Sequence, residues 1–464
     1  MDRINYIDNP PDELKIFELS LIWKEAAYNF AFWEHLAPTL DWDKAYREAL
    51  PAVLATKNLH EYYLELMKFV ALLRDGHTRV NFPESIHENP AYTSKLPIRV
   101  TYSNGEYVIS NVKRCAGSQV KRWSVVKKVN GIDIHAYIAS HIFPYIWHEK
   151  VDSAEWQINT FLSNGPLGSQ VEFDLELDGE ISKALLTRTK GDTDWLFNEE
   201  LKDTEDFEIV YQSDSHKIAM ANDQIAIITI DTMMNDDLPK HFHSNFPTLQ
   251  KARGYIIDIR HNGGGNSTNS DAVASAFIEG QFQNQRSLQP IHIGAYKAWS
   301  VDHNFGDKTY EEIVAERGTS DWREKVYKIP RQMYYEESIL TSNAANEMGW
   351  RYPSTLLAPL VVLTTANTAS AAEDFLVIFE HMKRATFVGT ASCGSTGMPL
   401  YIDLESGGSV VICTRRNTHI DGREFINIGV EPHVHFEPSF ENLRRGYDTH
   451  MEKGLEVLRG KLAL

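Results

Sequence analysis

A serine, a histidine and a run of three glycines are the groups in this chain whose types and settings suit acyl chemistry. Ser370 lies in "TTANTASAAEDFLVIFEHMKR", after the apolar run "APLVVLTTA" and before a stretch with helical periodicity. With Glu373 three positions on, Ser370 fits a capping box, in which the glutamate reaches back to the serine. A serine at a strand-to-helix turn has a second use as a nucleophile, because the helix start offers N–H groups to a developing oxyanion. Ala371 and Ala372 are small enough to let a substrate backbone approach. The order strand, turn, helix works like a nucleophile elbow without the Gly-x-Ser-x-Gly sequence.

The second group is "GYIIDIRHNGGGNS", where Gly263, Gly264 and Gly265 close a buried strand. Three glycines are costly in conformational entropy, so they make sense where the backbone must come close to something, such as a substrate carbonyl. No Lys-Ser/Thr pair follows them, which argues against a phosphate loop. Asp258 and Arg260 flank the strand end, and a charge pair between them would brace the loop. The third group is "LLRDGHTRVNFP", which sets His77 beyond an amphipathic helix that Gly76 is expected to stop. A strand-like "TRVNF" follows, so the histidine has the rigid mount that a general base requires.

The elements that must position these groups are legible in outline. "DELKIFELSLIWKEAAYNFAFWEHL", "LDWDKAYREALPAV" and "LHEYYLELMKFVALLRDGHT" read as helices, the second beginning after Asp41. From Leu96 the pattern changes to short strands with Asn-Gly turn signals in "SNGEY" and "VNGID", closing on the hairpin "VEFDLELDGEISKALLTRT". From Phe207, buried β-branched runs ("QIAIITID", "ARGYIIDIR", "LAPLVVLTT", "ATFVGT") alternate with helical stretches. That is the pattern of an α/β domain whose sheet is covered on both faces. The stretch between Gln281 and Trp350 is aromatic, charged and weakly periodic, and reads as an insertion or lid. The chain is therefore a multidomain α/β protein, divided as 1–94 helical, 95–195 β-rich and 196–464 α/β.

"DGHT", "DIRHNGGG" and "LTTANTASAAE", in this order and at these distances, resemble the C-terminal-processing and tricorn-core serine peptidases. The resemblance implies a helical N-terminal region, a PDZ-like module and a catalytic domain of the crotonase/Clp-protease type, with His77 contributed from the N-terminal region. C-terminal processors carry a Ser-Lys dyad, but the lysine's place falls on Ser395 in "FVGTASCGSTGMP". The tricorn-like arrangement, a serine with a histidine oriented by a carboxylate, fits instead: Ser370 as nucleophile and His77 as general base. "NTHIDGREFINIGVEPHVHF" resembles the family's closing segment, with His433 where aspartate is usual. Glu424 is the preferred orienting carboxylate, on an expected strand, and Glu431 the alternative. The resemblance places the oxyanion hole at the N–H groups of Gly264 and Ala371. It implies a serine endopeptidase working through an acyl-enzyme on peptide or unfolded protein, with no cofactor or metal. Relatives that bind retinoids on this scaffold supply the alternative, a non-catalytic protein for hydrophobic ligands or peptides. An acyl-CoA enzyme of the crotonase type is the third reading, disfavoured by the N-terminal helices and the PDZ-like module.

Composition bounds these readings. The chain has 464 residues, 42% hydrophobic and 24% charged, with a formal net charge of −18. That excess of acid argues against nucleic-acid partners, which need a basic face. No apolar run is long enough to span a bilayer. Cys115, Cys393 and Cys413 show neither disulfide nor zinc spacing. No signal peptide is visible, so a cytoplasmic location is expected for a complete chain, and a periplasmic or secreted one if a signal has been removed. Oligomeric state is not readable.

Overall fold

The structure, a computed structural model, describes residues 8–36, 38–148, 150–190, 194–197, 202–291, 294–331, 333, 335–342 and 352–463. The described residues form two compact units. One comprises residues 1–83, 286–340 and 397–418, the other 84–285, 341–396 and 419–464.

The second unit holds the buried runs. Its seven-stranded sheet follows chain order: Phe207–Gln212, His216–Ala221, Ile225–Ile230, Gly254–Asp258, Leu360–Thr364, Thr386–Gly389 and Val434–His435. The first three strands are antiparallel and every later pairing is parallel. Alternation along each strand divides the core into two layers. Ile228, Tyr255, Ile257, Val362 and Phe387 face Phe242, Phe246, Phe375 and Phe379 of the helices Leu238–Leu249 and Ala371–His381. Ile227, Ile256, Val361, Leu363 and Val388 face Met451, Leu455 and Leu458 of the helix Thr449–Leu462. Covering on both faces explains why these strands show no polar alternation. Each such side chain contributes about 1.5–3 kcal/mol when fully buried.

The same unit contains an antiparallel β module built around Ile98–Ser103, Glu106–Val112, Val125–Val129, Gln170–Leu177 and Glu180–Thr187. Asn104–Gly105 and Asn130–Gly131 take positive φ of 50°, 80°, 50° and 80°, as the Asn-Gly signals require. Ile98–Ser103 is the outer strand, and the helix Glu155–Ser163 covers its free edge. Asn159 on that helix accepts the Val100 N–H at 2.9 Å and donates to the Val100 carbonyl. A side-chain amide thus takes the place of an added strand there. The Val100 groups on this edge are therefore already paired.

The first unit packs the helices Asp12–Asn29, Trp42–Leu54 and Leu59–Ala71 with the hairpin strands Pro399–Asp403 and Ser409–Cys413. Asp41 caps the second helix by accepting the Lys44 N–H at 2.9 Å. Glu18, fully buried, accepts from Tyr62 Oη, Ser406 N and Ser406 Oγ, each at 2.7 Å. Burial of that carboxylate is tolerated because its lone pairs are met. From the stretch between Gln281 and Trp350 come the helices Gly294–Asp302, Tyr310–Arg317 and Asp321–Lys328; residues 343–351 lie outside the described residues. Among the described residues no helix is long and apolar enough to cross a membrane.

Candidate active site

Ser370 stands between the strand Leu360–Thr364 and the helix Ala371–His381, at the carboxyl edge of the parallel strands. Its φ of 56° and ψ of −124° are rare for a residue with a Cβ. Strain of this kind costs of order 1–3 kcal/mol and persists only where surrounding structure imposes it. The imposing contacts are explicit. The Ser370 N–H donates to the Ser395 carbonyl at 2.8 Å and to Glu373 Oε2 at 3.2 Å, and the Ser370 carbonyl accepts the Glu373 N–H at 2.8 Å. Glu373 therefore reaches back as the capping box requires.

The turn before Ser370 is stitched to the neighbouring strand end. Thr365 Oγ1 donates to the Arg260 carbonyl (2.6 Å), Thr368 Oγ1 to the Ile259 carbonyl (3.0 Å), and the Ala369 N–H to the Asn262 carbonyl (3.0 Å). These polar side chains were not singled out in the sequence, where "TTANTA" reads as any loop. Ala371 and Ala372 turn out to be buried, 1% and 0% exposed, within the core. Their small size serves close packing of helices rather than access for a substrate. The Ala371 N–H, first of its helix, has no backbone acceptor among the described residues.

The glycine loop lies against the serine. A Cβ on Gly264, whose φ is 97°, would stand 2.5 Å from Ser370 Cβ, 2.8 Å from the Ala369 oxygen and 2.9 Å from the Ala371 nitrogen. One on Gly265, at φ 144°, would strike the Met233–Met234 backbone at 2.4 Å. Both positions require glycine, whereas Gly263 has nothing within 4 Å of its added Cβ. Gly264's N–H donates to Asn262 Oδ1 at 2.9 Å, and Asn262 Nδ2 donates to the Ile230 carbonyl at 3.0 Å. The expected oxyanion donor is thus engaged by its own loop in this structure.

Asp258 and Arg260 brace the loop from beneath, as expected, with a third member that the sequence did not reveal. Arg260 donates to both oxygens of Asp258 (2.9 and 2.8 Å) and both of Asp448 (2.8 and 2.7 Å). Burial acts to raise the Asp258 carboxyl, but the guanidinium outweighs it and holds the pKa down at about 2.

After Ser370's helix comes the loop 392–395. Glu373, fully buried, accepts from Ser392 Oγ (2.5 Å), Gly394 N (2.6 Å) and Ser395 N (2.8 Å). Burial pushes its carboxyl up to about 7 despite these donors. Ser395, at the family lysine's place, contributes only backbone to these contacts: its carbonyl takes Ser370 and its N–H serves Glu373. Two residues of the β module reach the same loop. Lys150 Nζ donates to the Ser392 and Ile428 carbonyls (3.1 and 2.9 Å), and Ser153 Oγ to the Cys393 carbonyl (2.9 Å). Nothing in their local sequence signals this, because the partners lie 240 or more residues away.

The closing segment departs from the expected strand. Glu424 sits half-buried in an irregular stretch between two turns, and the nearby residues Asn427–Val430 pack on the loop 392–395, with Asn427 N donating to the Gly394 carbonyl at 2.7 Å. Gly394 has no room for a Cβ, which would lie 2.8–2.9 Å from the Ile428, Asn427 and Gly429 nitrogens. Glu431 is exposed beyond them. His433 accepts the Phe387 N–H through Nδ1 at 2.9 Å, a structural anchor for the strand Thr386–Gly389.

His77 belongs to the other unit and is half-buried there. The helix before it closes at Ala71, and Arg74 (φ 46°), not Gly76, takes the left-handed position. Asp75 turns the chain by accepting the His77 N–H (3.2 Å) and Thr78 Oγ1 (2.6 Å), while Thr78 Oγ1 accepts the Cys413 N–H (2.9 Å). Burial raises the Asp75 carboxyl to about 6 against these donors. Arg79–Asn81 then pairs antiparallel with Ser409–Val411. The anticipated rigid mount is present.

Residues 224–436 match the family model described as peptidase family S41. A curated carboxy-terminal-processing protease of Bartonella bacilliformis is 23% identical over 224 residues, which are 48% of this chain and 39% of that protein. The match therefore spans about two-fifths of the curated relative. Among solved structures, mature CPAF superposes with a TM-score of 0.68 at 16% identity, covering 95% of this chain and 96% of that one. Mature CPAF complexed with lactacystin gives 0.67 at 15%, covering 96% and 98%. At these identities the structural likeness establishes the fold.

Proposed function

We propose, from the premise that the chain carries a serine-type peptidase domain of family S41 at residues 224–436 and belongs with the C-terminal-processing peptidases, that it is a serine endopeptidase of the tricorn-like branch. Ser370 attacks the scissile carbonyl, His77 takes its proton and later returns it to the leaving amine, and water then releases the acyl-enzyme. Glu424 orients the imidazole in this reading, with Glu431 as the alternative. The developing oxyanion is received by the Ala371 N–H and by that of Gly264 once it turns from Asn262. Peptide or unfolded protein is the substrate class.

The observation that carries the reading is the forced geometry of Ser370. A strained residue at a strand-to-helix turn, with a glycine held against its Cβ, is hard to explain as a cap alone. The absence of a lysine at position 395 favours histidine over lysine as base. The test is acylation by a fluorophosphonate together with hydrolysis of a casein-like substrate. Both are expected to vanish in Ser370→Ala and to fall by at least about 10³-fold in His77→Ala. Labelling that survives Ser370→Ala removes the nucleophile, and a fully active His77→Ala removes the base.

A further inference from the structure

Resting on the serine-peptidase reading, we infer that Glu373 is a positioning residue whose carboxylate holds the Ser370 turn and the loop Ser392–Ser395 in one register, so that a proton on it slackens the nucleophile. Its side chain is fully buried, and its two oxygens accept four hydrogen bonds. Ser392 Oγ and Gly394 N meet Oε1 at 2.5 and 2.6 Å; Ser395 N and Ser370 N meet Oε2 at 2.8 and 3.2 Å. Ser392 Oγ already accepts the Val430 N–H at 2.7 Å, so its own hydrogen serves Glu373. Only an ionised carboxylate accepts from four donors at once; a protonated one brings a fifth hydrogen into that shell.

The same carboxylate thus grips the nucleophile's own amide and the two amides across from it. Loss of one contact frees Ser370 to relax from its strained φ, which costs alignment at the attacking oxygen. The charged groups on the surrounding elements are few. Asp374, next on the helix, is satisfied by Ser267 Oγ (2.7 Å) and Thr396 Oγ1 (3.0 Å). Lys150 caps carbonyls of the loop and of the closing segment, which carries Glu424 and Glu431, and the Cys393 thiol lies within the loop. Burial raises the Glu373 carboxyl and its donors oppose that, which brings its proton equilibrium near neutrality at about 7.

The experiment uses the full chain as wild type, Glu373→Gln and Ser392→Ala. Glutamine keeps the shape but turns an NH₂ toward at least one N–H donor. Hydrogen exchange at pH 7.5 is expected to quicken at least about tenfold over residues 366–372 and 392–396 in Glu373→Gln, with strand 254–258 unmoved. Fluorophosphonate acylation of the wild type should fall on the acid side with a slope in log rate against pH that rises above one toward two over about one to two pH units, one proton on the base and one on Glu373. Glu373→Gln should show slope one and a plateau about 10–100-fold lower. Ser392→Ala, which keeps the carboxylate and removes one donor, should move the acid inflection to higher pH and decides the matter if Glu373→Gln does not fold. Unchanged exchange, or slope one in wild type with an unmoved inflection in Ser392→Ala, overturns the inference. Should the wild type never acylate, the peptidase reading fails, and exchange alone still decides what Glu373 holds.

Discussion

Substituting Gly264 by alanine tests the contact between the glycine loop and the nucleophile. The added methyl would sit 2.5 Å from Ser370 Cβ and 2.8–2.9 Å from two backbone atoms that cannot rotate away. At φ 97° a residue with a Cβ also pays for its backbone, about 1–2 kcal/mol. Overpacking adds about 1–3 kcal/mol, so the folded state loses about 2–5 kcal/mol if the loop keeps its shape. If the loop yields instead, the Gly264 N–H leaves its place, and loss of one oxyanion donor is expected to cost about 10²–10³ in rate. Either outcome separates this variant from Gly263→Ala, where the new methyl meets open space and stability should change by less than about 1 kcal/mol. Urea midpoints and fluorophosphonate labelling rates, measured on both variants, read the two outcomes. A Gly264→Ala protein that melts and labels like the wild type would refute the claim that the loop abuts the serine.

Glu424→Gln should lower kcat/KM on a peptide substrate by at least about 10²-fold while Glu431→Gln stays within about twofold; the reverse order would transfer the orienting role to Glu431. Asp448→Ala leaves half of Arg260's donors without a carboxylate and removes a cap, since Asp448 Oδ1 also accepts the Met451 N–H at 2.9 Å. Breaking a buried pair costs about 3–5 kcal/mol, and an unchanged urea midpoint would show that Asp258 suffices. Asn159→Ala strips both backbone groups of Val100, 2% exposed, of their partner. That is expected to cost about 1–3 kcal/mol and to quicken exchange of the Val100 amide; unaltered exchange would mean that the module's outer edge is not held by that helix.

Much of the scaffold could be read locally because its signals are local. Fully apolar β-branched runs mark strands covered on two faces, Asn-Gly pairs mark hairpins, and Ser370 with Glu373 marks a helix start whether or not the serine reacts. The family resemblance added roles for Ser370, His77 and the glycines. What sequence spacing could not convey is which distant groups meet. Glu373 reads as a cap, yet its carboxylate is shared among Ser370, Ser392, Gly394 and Ser395. Asp448, the third member of the Arg260 network, lies 188 positions from the arginine. Residues 286–340 and 397–418 join the N-terminal helices in one compact unit, although nothing in their composition pairs them. The irregular backbone at Glu424 also escaped local reading, since the apolar Phe425 and Ile426 beside it suit a strand. Alternation and turn chemistry act over a few residues, so the amino-acid order alone determined the elements and the candidate nucleophile. Buried charge and close backbone contact are settled by partners far along the chain, so only the tertiary structure decided what holds that serine in its strained shape.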